Sequence, residues 1–272
     1  MGRITLLDGP VGTELGRRGL PLPAPLWSAW ALVHRPEAVA ALHADYADAG
    51  AEVHTTNTFR TRRRTLPGDW EQRTREAVAL ARRSTRPTHR IAGSIAPLED
   101  CYRPDLSPAD PRPEHKEFAR CLASAGVDLL LCETFPHPGE GWVAVEEAVA
   151  TGLETWAAFT AGPEGDLLSP QALMAAAAGA VERGAAAVLV NCVPASRTRS
   201  WLEPLAELGV PFGAYANAGH QDEQLGWHAD PTDSAERYAD LAEEWVHLGA
   251  TLIGSCCGTG PSHIAELKRR FR

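Results

Sequence analysis

Three cysteines are the residues whose type and spacing suit catalytic chemistry. Cys192 closes one apolar, β-branched run, and the adjacent Cys256 and Cys257 close another near the end of the chain. Zinc bound by sulfur prefers a tetrahedral shell, and three protein ligands leave the fourth position open, as in catalytic rather than structural zinc. The C-x-x-C and H-E-x-x-H spacings are absent. The spacing therefore favours a catalytic zinc centre and leaves open a redox couple or a buried turn at the vicinal pair.

Composition limits the kinds of partner. The formal net charge of -9 over 272 residues disfavours nucleic acid and anionic membranes, which require basic surfaces. No run of eighteen uncharged apolar residues is present. Six cysteines are too few for a disulfide scaffold, and the start MGRITLLDGP shows no secretory signal pattern. We therefore expect a cytoplasmic protein that acts on small molecules.

Eight short apolar or β-branched runs alternate with longer segments of helical spacing, which is typical of parallel βαβ units. The predicted strands are Ile4–Asp8, Glu52–Asn57, Arg90–Ser94, Val127–Glu133, Thr155–Thr160, Ala187–Cys192, Pro211–Asn217 and Thr251–Ser255. Predicted helices include Glu37–Ala49, Glu114–Ala125, Pro170–Arg183, Ser234–Leu248 and Pro261–Phe271. Four of these patterns end at a glycine that leads into the next strand, namely Gly50, Gly126, Gly184 and Gly249.

This alternation predicts the α/β class and a single (β/α)8 TIM barrel, with one domain over residues 1–272. An open doubly wound sheet is the alternative, but no G-x-G-x-x-G follows the first predicted strand. In a barrel the carboxyl ends of all strands meet at one mouth. Polar and thiol side chains close nearly every predicted strand, among them Asp8, Thr56, Asn57, Ser94, Glu133, Thr160, Asn191, Cys192, Tyr215, Asn217 and Ser255–Cys257.

The sequence resembles the homocysteine S-methyltransferase family in ordered blocks along nearly its whole length, and the last block is the most specific. These blocks are Leu7-Asp8-Gly9, Thr13-Glu14-Leu15, Thr56-Asn57-Thr58-Phe59, Glu133-Thr134-Phe135, Asn191-Cys192, Tyr215 with Asn217 and Gly219, and Gly254 with Cys256-Cys257-Gly258-Thr259 and Pro261-His263-Ile264.

The resemblance implies that Cys192, Cys256 and Cys257 bind Zn2+ and that the sulfur of homocysteine completes the shell. Zinc would present that sulfur as a thiolate to a methyl donor. The chain has no room for pterin or cobalamin domains, so the expected donor is a sulfonium, S-methylmethionine or S-adenosylmethionine. A betaine-type donor, a selenocysteine or other thiol acceptor, and a zinc-binding or redox-sensing module without catalysis remain alternatives.

Two acidic residues carry over from the family as catalytic and substrate-binding groups. Asp8 and Glu133 are expected to hold the homocysteine amino group, and Gly9 with Asn57 and Thr58 its carboxylate. Asp8 before glycine also suits an ordinary turn. A carboxylate that ends an apolar run, as Glu133 does, is seldom buried without a partner.

A few positions depart from the family pattern or lie outside it. Pro10, Ser255 and Ala216 stand where relatives usually have other residues, which affects the shape of the pocket. Cys101, Cys121 and Cys132 are interpreted as packing thiols, with Cys132 turned towards the helices. Trp27 and Trp30 suit either packing or a cation-binding donor pocket. The arginines of Arg60–Arg64 are interpreted as a solvated loop.

Overall fold

The structure, a computed structural model, describes residues 2–219 and 223–272 and contains eight parallel strands. The strands are β1 Thr5–Leu6, β2 Val53–Thr55, β3 Arg90–Ile95, β4 Leu129–Phe135, β5 Thr155–Phe159, β6 Ala187–Pro194, β7 Phe212–Asn217 and β8 Leu252–Ser255. They pair in the order β1-β8-β7-β6-β5-β4-β3-β2. A parallel bridge between Leu7 and Val53 joins the two ends. The predicted barrel is confirmed, and the open sheet was the wrong alternative.

Ten α-helices occur in the described part of the chain, most of them outside the barrel. They are α1 Gly12–Arg17, α2 Ser28–His34, α3 Pro36–Ala49, α4 Trp70–Ser84, α5 Arg112–Ser124, α6 Pro138–Val149, α7 Pro170–Glu182, α8 Arg199–Leu202, α9 Pro231–His247 and α10 Pro261–Phe271. Several begin at a proline, whose fixed φ suits the first helical position and whose missing N–H costs nothing there. Helices α3 and α9 therefore start at Pro36 and Pro231, before the predicted Glu37 and Ser234.

Apolar side chains form one layer inside the barrel and another between the strands and helices. Strand β4 shows the alternation: Leu129 and Leu131 pack inside, while Leu130 and Cys132 pack in the outer layer with residues of the helices. A strand places successive side chains on opposite faces, so Glu133 follows on the inner side. The prediction that Cys132 turns towards the helices is confirmed.

The loop that carries Arg60–Arg64 differs from its prediction as a solvated segment. Arg62 is only 5% exposed, and its guanidinium donates to the carbonyls of Phe59 and Glu99 at 3.1 and 3.3 Å. Burial lowers the pKa of Arg62 to about 10. The prediction was wrong for this residue because backbone carbonyls, which a charge pattern does not reveal, accept its hydrogen bonds.

Helix α5 provides carboxylates for the two arginines that follow. Arg63 pairs with Glu117 and Arg64 with Glu114. None of the helices in the described ranges is both long and apolar enough to cross a membrane.

Candidate metal and substrate site

A cavity of about 630 Å³ opens where the carboxyl ends of the strands converge. The loops after β1, β2 and β3 and the end of β4 form one side of it, and the ends of β6, β7 and β8 form the other. The lining residues that matter below are Asp8, Gly9, Trp27, Asn57, Phe59, Ser94, Cys101, Tyr102, Glu133, Thr134, Cys192, Tyr215, Ser255, Cys256 and Cys257.

Three thiols meet in this cavity although more than sixty residues of chain separate the first from the other two. The Sγ atoms of Cys192, Cys256 and Cys257 all lie within 4.8 Å of one another, and those of Cys192 and Cys256 are 2.9 Å apart. Cys192 is buried, whereas Cys256 and Cys257 are half-buried. The predicted convergence of the three cysteines is present in the fold.

The local backbone conformation orients the side chain of Cys192. Cys192 has φ of +52°, and the register between β6 and β7 shifts between Asn191 and Pro194. Thr134 on β4 has φ of +63° beside a similar shift between Cys132 and Phe135. A positive φ is uncommon for residues other than glycine and disfavoured for β-branched ones, and bulges often re-aim side chains beside functional sites. Both irregularities lie at the cavity.

Hydrogen bonds connect the two irregular strands next to the Cys192 sulfur. The Asn191 amide Nδ2 donates to Thr134 Oγ1 at 2.7 Å and lies 3.6 Å from Cys192 Sγ. Thr134 Oγ1 is itself 3.9 Å from the same sulfur. Sequence reasoning placed Asn191 at a strand end and both residues in matching blocks, and the fold assigns them a place beside the sulfur.

The pair Cys256 and Cys257 lies in a turn between β8 and α10. The amide of Cys256 donates to the Ala216 carbonyl at 2.8 Å, and the Cys257 carbonyl accepts from the Ala218 amide at 2.9 Å. Gly258 follows with φ of +82°, a conformation that glycine adopts without strain. The backbone of this turn is thus fixed against the end of β7.

The charges of the three thiols depend on one another. Hydrogen bonds from Cys192 and Cys256 lower the pKa of the Cys257 thiol. Hydrogen bonds with Cys192 and Cys257, together with burial, raise the pKa of Cys256. Three thiolates this close together would repel one another, so a cation is needed to hold all three in the ionised form. A closely spaced set of soft sulfur donors therefore fits a zinc-like ion.

Glu133 is a buried carboxylate with two hydroxyl donors. Ser94 Oγ donates to its Oε1, and Tyr215 Oη donates to its Oε2 at 3.1 Å. Burial raises the pKa of Glu133 to about 7, although both hydrogen bonds act in the opposite direction. In the sequence, Ser94 stands out only as a strand-end residue, and Tyr215 as a strand-end residue within one of the matching blocks. Strand alternation, which turns them to the same inner face, is the signal that identifies them as partners.

Asp8 is the second buried carboxylate that lines the cavity. Its Oδ2 accepts from the Thr55 amide at 2.9 Å, and its own carbonyl accepts from Ser255 N at 3.2 Å. Burial raises the pKa of Asp8 well above its ordinary value, and the charge of Glu133 adds to the rise. A bound cation would therefore stabilise the ionised form of Asp8.

The remaining predicted binding residues take different positions. Gly9 lines the cavity where a Cβ would lie 2.7 Å from the Tyr46 hydroxyl and 2.9 Å from Ser255 Oγ, so a larger residue does not fit. Asn57 also lines the cavity, and its Nδ2 donates to the Ser28 carbonyl at 3.0 Å. Thr58 is fully buried and is not among the lining residues; its hydroxyl donates to the Ser94 carbonyl at 2.8 Å.

Aromatic residues form the outer part of the cavity. Trp27 and Phe59 meet edge to face with their ring centroids 5.8 Å apart, and both line the cavity, whereas Trp30 does not. Cys101 and Tyr102, from the loop after β3, also line it. Cys101 was interpreted as a packing thiol, and its position at the cavity follows from a loop path that local sequence does not specify.

Fold and site together define an α/β barrel whose mouth holds three thiols and two buried carboxylates. The family model described as homocysteine S-methyltransferase matches residues 5–271. Homocysteine S-methyltransferase of Escherichia coli is 33% identical over 98% of this chain and 95% of its own length. Homocysteine S-methyltransferase YbgG of Bacillus subtilis is 31% identical over 97% and 93%. The metallated form of the homocysteine methyltransferase MmuM from Escherichia coli superposes with a TM-score of 0.83 at 29% identity, covering 99% of this chain and 96% of that one.

The chain therefore belongs to the homocysteine S-methyltransferase family, and it is an enzyme of the methyltransferase class.

Proposed function

We propose that this enzyme transfers a methyl group from a sulfonium donor to the thiol of homocysteine and so produces methionine. The observation that carries the proposal is that three thiols and two buried carboxylates face one cavity. At one side of the cavity, soft thiol ligands can bind a metal that holds the substrate sulfur. At the other side, anionic groups can bind the substrate ammonium. The size of the cavity suits small molecules.

We propose zinc as the metal and Cys192, Cys256 and Cys257 as its ligands. Zinc bound there would hold the substrate thiol as a thiolate, because a free thiol with a pKa near ~8.5 is mostly protonated at neutral pH. Three thiolates give the centre a net charge of about -1, which favours a strongly nucleophilic sulfur and attracts a cationic donor. Asn191 and Thr134 position the Cys192 sulfur through the contacts described above.

The carboxylates orient the amino acid part of the substrate. Asp8 and Glu133 bind the α-ammonium, which supplies the positive charge that two desolvated carboxylates lack. Gly9 lets the substrate approach the backbone closely, and Asn57 offers a polar side chain for the substrate carboxylate. Thr58 holds the Asn57 loop against β3 through its bond to Ser94. The substrate sulfur is thereby directed towards the thiols.

The donor occupies the outer cavity. Its sulfonium methyl carbon is attacked by the homocysteine sulfur, the bond between that carbon and the donor sulfur breaks, and a neutral thioether leaves. Trp27 and Phe59 present aromatic rings to this region, and aromatic faces attract sulfonium cations. S-Methylmethionine and S-adenosylmethionine are the proposed donors. The proposed location is the cytoplasm, and residues 1–272 are proposed to form a single barrel domain.

A screen of donors against acceptors tests the proposal. Reduced, zinc-replete protein is incubated with S-methylmethionine, S-adenosylmethionine or betaine, each with homocysteine or selenocysteine, and the methylated product is quantified. We expect methionine from homocysteine with a sulfonium donor. Turnover only with betaine or only with selenocysteine would replace the assigned substrate, and a zinc-loaded protein without turnover would favour a binding or redox-sensing module.

A further inference from the structure

A second group of metal-binding side chains lies behind the substrate cavity. Asp8 at the end of β1, His43 on α3 and His54 on β2 each direct a possible ligand atom to a common point, and these atoms lie within 4.8 Å of one another. All three residues are at least 96% buried. Asp8 lines the substrate cavity, whereas the two histidines do not. The Asp8 carboxylate therefore lies between the cavity and a buried pair of imidazoles.

The hydrogen bonding of these imidazoles is incomplete among the described residues. Neither ring nitrogen of His43 has a partner, and Nδ1 of His54 has none. Burying a polar nitrogen without a partner costs about 1–3 kcal/mol, so three such atoms on two neighbouring rings require an explanation. A cation at their centre would satisfy one nitrogen from each ring and the carboxylate at the same time.

The second ring nitrogen of His54, Nε2, already has a hydrogen-bond partner, as is usual for a histidine that binds a metal. His54 Nε2 lies 3.0 Å from Nδ1 of the partly exposed His89, and the two rings stack with centroids 5.1 Å apart. Histidines that bind metals usually hydrogen-bond through their second nitrogen, which fixes the orientation of the ring. His54 Nε2 is therefore occupied, which leaves Nδ1 as the ring nitrogen without a hydrogen-bond partner.

The protonation state of the histidines also suits a metal. Both imidazoles are almost fully buried, which favours the neutral form, and the neutral form is the ligand. The Thr55 amide donates to Asp8, whereas burial and the charge of Glu133 oppose the ionisation of this carboxyl group.

We propose that Asp8, His43 and His54 form a second metal site, separate from the three thiols, for a divalent first-row transition ion such as zinc. Two imidazoles and one carboxylate match zinc, cobalt or nickel better than calcium or magnesium, which prefer oxygen ligands. Ligands at about 2.0–2.2 Å from a tetrahedral ion lie roughly 3.4 Å apart, so binding requires only that the side chains turn inwards. The ion would keep Asp8 ionised towards the cavity; this role depends on the proposed function, but metal binding does not.

Metal stoichiometry of the full chain tests the site. Reduced protein is stripped with a chelator and titrated with Co2+, whose spectrum separates the two environments, and the experiment is repeated with Zn2+ and elemental analysis. We expect two ions per chain. One Co2+ shows the sulfur-to-metal charge-transfer absorption of thiolate ligands, and the other shows only ligand-field bands.

Variants assign each ion to its site. Replacing the three site cysteines by serine should leave one ion without charge-transfer absorption. The double substitution His43→Gln and His54→Asn should leave one ion with that absorption. His247→Asn, at an exposed histidine on the last turn of α9, is the matched control and should keep both. Circular dichroism checks the folding of each variant, and the count on the unmodified chain needs no variant.

Each other result bears on one proposal. A single ion per chain that disappears with the thiols would overturn the second site and leave the imidazoles as a hydrogen-bonded network. Retention of two ions by the double histidine variant would overturn it as well. Two ions without methyl transfer would contradict the proposed function alone, and methyl transfer with one ion would contradict only the second site.

Discussion

The two sides of the barrel mouth are built differently. On the thiol side, Cys192 depends on an irregular strand end with positive φ, and Cys256 and Cys257 depend on a turn held by backbone hydrogen bonds. On the carboxylate side, burial disfavours the ionised forms of Asp8 and Glu133, and a few hydrogen-bond donors act in the opposite direction. The backbone thus sets the geometry of the thiols, whereas local electrostatics sets the charge of the carboxylates. Substitutions on the two sides should therefore fail in different ways.

The largest effect is expected from Cys257→Ala. Removing one of three ligands should empty the thiol site and reduce methionine formation to less than about 1% of the unmodified enzyme, while the fold is largely kept because Cys257 is only half-buried. Elemental analysis and a methionine assay on the same sample measure this. Cys121→Ala, a thiol far from the cavity, should behave like the unmodified chain. Full activity in the Cys257 variant would show that the thiol trio is not the catalytic centre.

On the carboxylate side, Glu133→Gln should impair substrate binding and leave the thiol metal in place. Loss of a charged hydrogen bond to the substrate ammonium, at about 1.5–3 kcal/mol, lowers kcat/KM for homocysteine roughly 10- to 100-fold. Steady-state kinetics and metal content are the measurements. Glu147→Gln, which affects a pair with Arg112 outside the cavity, is the control. An unchanged kcat/KM in the Glu133 variant would remove this residue from the site.

Asn191→Ala sharpens the contrast, because it disturbs the thiol side without removing a ligand. Its amide orients Thr134 and lies beside Cys192 Sγ, and such supporting contacts typically contribute 10- to 100-fold in metal affinity. Competition with a chromophoric chelator measures the change. Asn57→Ala, on the carboxylate side, should retain normal metal affinity. Equal affinities in both variants would mean that backbone geometry alone holds the cysteines.

The buried Glu133 should also make stability depend on pH. Its folded pKa, about 7, lies above the ordinary value of 4.5, so the fold favours the protonated form. The corresponding stability is fully present below pH 4.5 and decreases by up to about 3 kcal/mol as pH rises to about 7. Chelator-stripped, reduced Glu133→Gln should therefore unfold at a higher temperature than the unmodified chain at pH 8 but not at pH 4.5. Parallel melting curves across this range would disprove the assigned shift.

The smallest effect is expected at the outer cavity. Trp27→Leu removes an aromatic face worth about 0.5–1 kcal/mol to a partly exposed cation, so KM for the sulfonium donor should rise about two- to fivefold. KM for homocysteine should stay constant, because Trp27 is placed towards the donor. Initial-rate measurements with each substrate varied in turn test this. Trp30→Leu, outside the cavity, is the matched control, and a rise in KM for homocysteine instead would place Trp27 at the acceptor.

Much of the fold was predictable because its signals are local. Alternating apolar runs gave all eight strands within a few residues, and glycines with positive φ end the predicted helices at Gly126 and Gly184. Helix boundaries were predicted less accurately at prolines, which occur both in loops and at the first position of a helix. Helix α9, for example, begins at Pro231, whereas the pattern predicted a start at Ser234. The burial of Arg62 was missed because its partners are backbone carbonyls distant in sequence.

The amino-acid sequence by itself determined which groups are available at the mouth of the barrel. Residue types specify the three thiols and the two carboxylates, and strand periodicity places Glu133 on the inner face, since side chains alternate along a strand. Only the tertiary structure decided how these groups meet: the positive φ at Cys192 and Thr134, the hydroxyls of Ser94 and Tyr215 on Glu133, and the two histidines behind Asp8. The physical reason is that distances, desolvation and shifted pKa values depend on neighbours that the chain brings together only when the barrel closes.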